Sequence, residues 1–189
     1  STKEGRSRHG GQDTPARSTT GNRIAGTVPV MITDERALGS HVTVLFGHEQ
    51  GKYPDGNSVL VRGTDAMVLI DPSLTVHAMA SSTRVDQVLL THPHEDHVAG
   101  LAALRASGTT AVAVHHRDLA ALQSIDGLMR LYGVPAEEQP RMAAMVQDRF
   151  HVCDHSDARG FDDGATWDLG GVVVRAVHAP GHTGGHSVF

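Results

Sequence analysis

Apolar positions along this chain change their spacing twice. Residues 42–46 are a β-rich run, and residues 57–62 and 66–70 are two more, parted by the short hairpin signal Gly63-Thr64-Asp65. Asp71-Pro72-Ser73 ends the last of these. Residues 81–86 then lead into a strand over 87–90. Residues 98–106 are good helix sequence, stopped by Ser107-Gly108, and 111–114 read as a short buried strand. Over 117–132 the spacing becomes helical at Leu119, Leu122, Ile125, Leu128, Met129 and Leu131, until Gly133-Val134-Pro135 stops it. A third helix is predicted over 136–150, with Pro140 in its first turn. Asp162-Asp163-Gly164 reads as a turn, and 166–169 with 172–177 as a hairpin around Gly170-Gly171. Strands early, then strand and helix in alternation, then strands again predict an α/β protein with helices on the outer faces of its sheets.

Composition narrows this further. A length of 189 residues predicts one folding unit. Residues 1–27 are rich in Ser, Thr, Gly and Arg and nearly free of large apolar side chains. Such a segment cannot bury enough surface to offset its ordering entropy, so it reads as a disordered tail or an expression remnant, with the domain proper over 28–189. The tail carries five basic groups against two acidic ones, a local excess of three, so a net charge of −5 leaves the remainder near −8. That balance argues against a nucleic-acid partner, which calls for a basic face. Cys153 is the one cysteine, which excludes an intrachain disulfide and a cysteine-based structural zinc site. No run is apolar enough for a bilayer span, and no signal-peptide core is seen, so the expectation is a cytoplasmic protein without membrane partners. The chain starts at Ser1, which leaves room for a removed leader.

The chemistry concentrates after the strand at 87–90. Thr91-His92-Pro93-His94-Glu95-Asp96-His97 puts three imidazoles and two carboxylates into six consecutive residues. Imidazole with carboxylate suits zinc, iron or manganese. His92 and His94 alternate like strand residues and can share a face, while Asp96 and His97 lie past the turn and can aim at a second point nearby. The bland alternative is a surface histidine cluster or a purification tag, but tags are terminal and repetitive and this run is neither. A second step, Pro180-Gly181-His182-Thr183, follows the strand ending near 177, and Gly181 permits a tight turn that presents an imidazole inward.

The order His-x-His-x-Asp-His, followed some eighty residues later by Pro-Gly-His-Thr, strongly resembles the metallo-β-lactamase superfamily, with its glyoxalase II-like branch favoured by Gly-His-Thr-Gly-Gly-His-Ser. One departure from that branch is Ala99, where many of its members carry Gly. The resemblance implies the αββα four-layer sandwich (classed α+β in some schemes). It implies that His182 completes a first metal site with His92 and His94, that Asp96 and His97 belong to a second, and that the cofactor is one or two Zn2+ ions, with Fe or Mn as alternatives. It gives Asp96 a catalytic part as well, orienting the nucleophile or accepting its proton. Residues 57–61 and 68–71 match the superfamily's early hairpin, whose closing Asp71 would lie behind the ligating imidazoles and orient them; a turn-forming Asp before Pro72 is the plainer reading. His186 is expected to support the site rather than ligate, His116 to face a substrate pocket, and His178 to be structural. His151, Cys153 and His155 are a conceivable but thin Cys/His cluster.

Members of the superfamily supply a bridging Asp and a further His after the Pro-Gly-His-Thr strand, beyond the position of Phe189. The sequence therefore reads as a fragment whose second half of the sandwich is incomplete, with exposed apolar surface and marginal stability. The expected function is hydrolysis of an ester, thioester or amide-like bond in a small-molecule substrate. Alternatives within the fold are phosphodiester cleavage, disfavoured by the acidic charge, and a mononuclear iron dioxygenase acting on persulfides.

Overall fold

The computed structural model describes residues 34–79, 85–108 and 111–189. The predicted tail over 1–27 and most of the lead into the strand at 87 lie outside them. Seven strands form one sheet in chain order: β1 (Asp34–Leu38), β2 (Val42–Phe46), β3 (Ser58–Arg62), β4 (Met67–Ile70), β5 (Gln87–Leu89), β6 (Ala111–His115) and β7 (Arg159–Phe161). Pairing is antiparallel from β1 to β4 and parallel from β4 to β7. The parallel half requires crossovers, and the chain supplies helices there. The carboxyl ends of β5, β6 and β7 consequently share one edge of the sheet, as does the end of β4, where Ile70 pairs with Leu89.

Both faces of this sheet are covered, and strict alternation decides which residue goes where. Leu69, Val88, Leu90, Val112 and Val114 pack under the helices with Leu101, Leu104, Leu128 and Phe150. Their neighbours Val68, Ile70, Leu89 and Ala113 point the other way, against Leu169, Val174 and Ala176 of the C-terminal strands. Those strands are β8 (Thr166–Asp168) with β9 (Val173–Arg175), turning at Gly170-Gly171, and β10 (Val177–His178) with β11 (Ser187–Val188). They represent the second layer of sheet as two separate pairs. Val173, Val177 and Val188, all on these pairs, are exposed.

The helices are more broken than their periodicity predicts. A four-residue turn α1 (His48–Gly51) follows β2, and α2 (Leu74–Met79) follows β4. The segment predicted as one helix over 98–106 is a turn α3 (Glu95–Val98) and, beyond Ala99-Gly100, α4 (Leu101–Ala106). The long helix predicted over 117–132 divides into a 3-10 turn (His116–Asp118), α5 (Leu119–Gln123) and α6 (Ile125–Tyr132). The reason is Ser124, whose extended backbone lets its Oγ accept from Gly127 N–H at 3.1 Å. That caps α6 and folds it back on α5. The third helix, α7 (Gln139–Phe150), starts three residues later than predicted, with Pro140 in its first turn and His151 in left-handed conformation at its end. β1 and β7 were not predicted: Asp34–Leu38 is a polar edge strand, and Arg159–Phe161 is only three residues long.

Candidate metal centre

Strand β5 ends at Leu89, and Leu90 and Thr91 carry the chain out over the carboxyl edge of the sheet. His92 and His94 alternate as predicted, and the terminal loop brings His182 against them. The three ring centroids stand 4.6 Å apart in every pairing, each pair edge to face at 78° to 82°. One ring nitrogen from each lies within 4.8 Å of the others. His92 is buried, His94 half-buried and His182 exposed, so the cluster has a closed floor and an open mouth.

Protonation favours the same chemistry. Burial, reinforced by the neighbouring imidazoles of His97, His94 and His182, pushes His92 down to about 2. Burial and then His182 also push His94 below the usual histidine range. Both rings are therefore neutral at pH 7 with a lone pair available, the form in which histidine ligates a metal. Three imidazoles crowded onto one point, with no polar partner for the His182 ring among the described residues, fit a divalent cation.

Asp71 organises the floor. It ends β4 in left-handed conformation (φ 51°) and is buried. Its carboxylate accepts from Thr91 N–H at 2.8 Å, from the Thr91 hydroxyl at 2.7 Å and from His97 Nδ1 at 2.9 Å. The Thr91 hydroxyl, having spent its proton on Asp71, can only accept from His92 Nδ1 at 3.0 Å. One carboxylate thus fixes two tautomers and leaves Nε2 of both His92 and His97 free. His97 feels the opposite shift from His92: burial disfavours its charged form, but the hydrogen bond and charge of Asp71 outweigh that and raise its pKa. His97 Nε2 faces Asp96 Oδ2 at 3.6 Å, a second imidazole–carboxylate pair beside the triangle.

Other predicted residues fall at varying distances. His186 has its ring 5.2 Å from that of His92, and its Nδ1 donates to the Ala179 carbonyl at 3.2 Å. His178 Nε2 donates to the Gly184 carbonyl at 3.0 Å, and its ring stacks on His115 at 4.1 Å. His116 lies at the same sheet edge, exposed, with Nδ1 2.5 Å from Asp162 Oδ1. His115, His116 and Asp162 bring ligand atoms close together. However, His115 Nδ1 accepts from Arg117 N–H at 3.3 Å, so its neutral ring carries its proton on Nε2 and presents no free lone pair. Cys153 Sγ and His155 Nε2 are 3.7 Å apart but gather no third ligand among the described residues.

Several supporting residues escaped the sequence. Ser58 donates to the Asp71 carbonyl at 2.6 Å and accepts from Ser73 N–H at 3.1 Å, which pins the turn that carries Asp71. Glu95 is buried beside the triangle and accepts from the hydroxyls of Tyr53 and Tyr132, and the Tyr132 ring stands 5.1 Å from that of His94. Burial, helped by Glu95, raises the pKa of both tyrosines, so they remain donors. A short polar residue at a strand end, or a Glu between two ligand candidates, carries no distinctive spacing.

Comparison with known proteins converges on one family. The family model described as the metallo-beta-lactamase superfamily matches residues 53–189. A hydroxyacylglutathione hydrolase of Acidiphilium cryptum is 31% identical over 139 residues, covering 71% of this chain and 44% of that protein. The lactamase-like protein ptaB of Pestalotiopsis fici is 26% identical over 172 residues, covering 84% and 43%. Among solved structures, the metallo-beta-lactamase GOB-18 from Elizabethkingia meningoseptica superposes with a TM-score of 0.60 at 16% identity, covering 82% of this chain and 54% of that one. This chain thus spans about half the length of the relatives it matches. With the matched region taking in both histidine motifs and the fold shared with solved members, the chain belongs to the metallo-beta-lactamase superfamily.

Proposed function

We propose that this chain carries the metal-binding part of a hydrolase that cleaves an ester, thioester or amide-like bond in a small molecule, with an acylglutathione-type thioester as the favoured substrate. The observation that carries this reading is the triangle of His92, His94 and His182, open on one side to solvent. Zinc suits the imidazole set, with iron or manganese as the alternatives. When bound, such an ion supplies a Lewis acid, making hydroxide available near neutral pH and polarising a carbonyl. The chain's own residues do the rest. Asp71, through Thr91 and directly, orients His92 and His97. Asp96 and His97 offer two ligands for a second ion, and the Asp96 carboxylate, about a fifth exposed, can orient the nucleophile or take its proton. We assign His116, exposed at the same edge, a part in meeting the substrate, a reading that its exposure supports. The similarity to a protein named hydroxyacylglutathione hydrolase supports the thioester, and a net charge of −5 disfavours a polyanionic phosphodiester.

The test is metal quantification together with thiol release from an acylglutathione thioester. The expected outcome is retained zinc and chelator-sensitive thiol release, both reduced at least about 100-fold in His94→Ala and His182→Ala, since even the loss of a ligand's supporting partner costs about 10–100-fold. Unchanged metal content in both variants would overturn the site. Iron with oxygen consumption would overturn the hydrolytic reading in favour of a dioxygenase.

A further inference from the structure

His182 differs from its two partners in how it is held. Thr91 fixes the ring of His92, and the backbone around His94 is anchored by Glu95 to two tyrosines. The His182 ring is exposed and makes no hydrogen bond among the described residues. Its position is therefore set by the backbone on either side. Gly181, at φ 152°, adopts a conformation that L side chains rarely reach, with open space around it. The loop turns there, and what ties it to the rest of the protein lies beyond that point.

That tie is a buried carboxylate from a distant part of the sheet. Asp118, 1% exposed, ends the 3-10 turn that follows β6. Its Oδ2 accepts from the Thr183 hydroxyl at 2.5 Å, and its Oδ1 accepts from Gly185 N–H at 2.9 Å. Thr183 and Gly185 are themselves buried. The approach is so close that a Cβ on residue 185 would stand 2.8 Å from Asp118 Cγ. The carboxylate grips residues one and three positions after His182, on both sides of Gly184. Other bonds dress the loop: Gly181 N–H donates to the Thr183 carbonyl at 3.1 Å across His182, His178 donates to the Gly184 carbonyl, His186 to the Ala179 carbonyl, and Ser187 N–H to the Thr91 carbonyl at 3.0 Å. The Gly181–Thr183 bond closes the turn from within the loop, whereas Asp118 ties the residue after His182 to a segment outside it.

We infer that Asp118 is a positioning residue for the metal centre, acting through Thr183 and Gly185 to hold the His182 imidazole at the triangle. The inference rests on the metal-binding reading above. It assigns to the chain a carboxylate that orients the third imidazole through backbone and a hydroxyl, as Asp71 orients the other end of the site.

The experiment is a double-mutant cycle on the full chain, read as zinc affinity by competition with a chromophoric chelator and as the visible spectrum of the cobalt(II)-loaded protein. His182→Ala alone must weaken zinc binding; if it does not, the metal site itself is wrong and the cycle says so first. Given that loss, Asp118→Ala should weaken zinc by about 10–100-fold and lower the cobalt(II) absorption intensity. It should cost nothing further in the His182→Ala background. Asp118→Asn, whose oxygen can still accept from Gly185 N–H while its amide donates to the Thr183 hydroxyl, should recover most of the affinity. Thr183→Val, which leaves the carboxylate and the Gly185 bond in place, should show a smaller loss with the same dependence on His182, and serves where Asp118→Ala fails to fold. Additive losses in the His182→Ala background would overturn the inference, because they would mark general destabilisation. Unchanged zinc affinity and cobalt(II) spectrum in Asp118→Ala would overturn it as well.

Discussion

Asp71 occupies a backbone conformation that costs a non-glycine residue about 1–2 kcal/mol, yet it is buried and fully engaged. The strain is offset because three donors converge on one carboxylate. Asp71→Asn isolates the chemistry from the strain, since Asn also tolerates left-handed backbone. Its amide must face either Thr91 N–H or His97 Nδ1–H, donor against donor. The expected outcome is a folded protein whose metal affinity falls about 10–100-fold, measured by chelator competition beside the thermal midpoint. The sequence placed Asp71 behind the imidazoles by resemblance. It did not show that Thr91 relays the same carboxylate to His92, because a threonine's partner depends on a rotamer set by packing.

At the scale of elements, short runs decided what periodicity could not. β2, β3 and β4 were legible because each alternates or runs apolar between clear turn signals. The helix predicted over 117–132 failed at one residue, for Ser124 keeps the apolar spacing intact on both sides while its backbone turns extended. Ser124→Ala removes the cap of α6 and should destabilise the protein by about 1 kcal/mol, read from the denaturant midpoint at unchanged m-value. A larger loss would show that the α5–α6 corner carries more than a cap. β7 escaped because three residues hold no pattern; it exists only because β6 offers it an edge.

For the whole molecule, the histidines set a pH dependence. His92, His94, His115, His151 and His155 all have folded-state pKa values below the ordinary value, burial being the first cause in each. Between the folded and unfolded pKa the unfolded chain binds more protons, so stability rises with pH through that window and is lost as pH falls below about 6.5. His97, with a raised pKa, contributes in the opposite sense, its share being present below about 6.5 and lost as pH rises through its folded value. The lowered groups outnumber it. The metal-free protein should therefore lose stability from pH 7 to pH 5, with a slope approaching about 1.4 kcal/mol per pH unit for a group as strongly shifted as His92. Thermal midpoints of chelator-treated protein check this, and a flat profile would refute it. Among the described residues no helix is long and apolar enough to cross a membrane.

The sequence by itself determined the family, the alternation of strand and helix around the site, and the density of ligands in one loop, because these depend on local spacing and on side-chain chemistry. It could nominate His182 only through resemblance, since His182 lies 88 positions after His94. Only the tertiary structure decided that the three rings meet 4.6 Å apart, that Asp71 sets two tautomers, and that Asp118 grips the terminal loop. The reason is physical: hydrogen bonds between distant segments are fixed by how sheet edges and turns pack. A buried aspartate after a short strand looks in sequence like any polar residue at a turn.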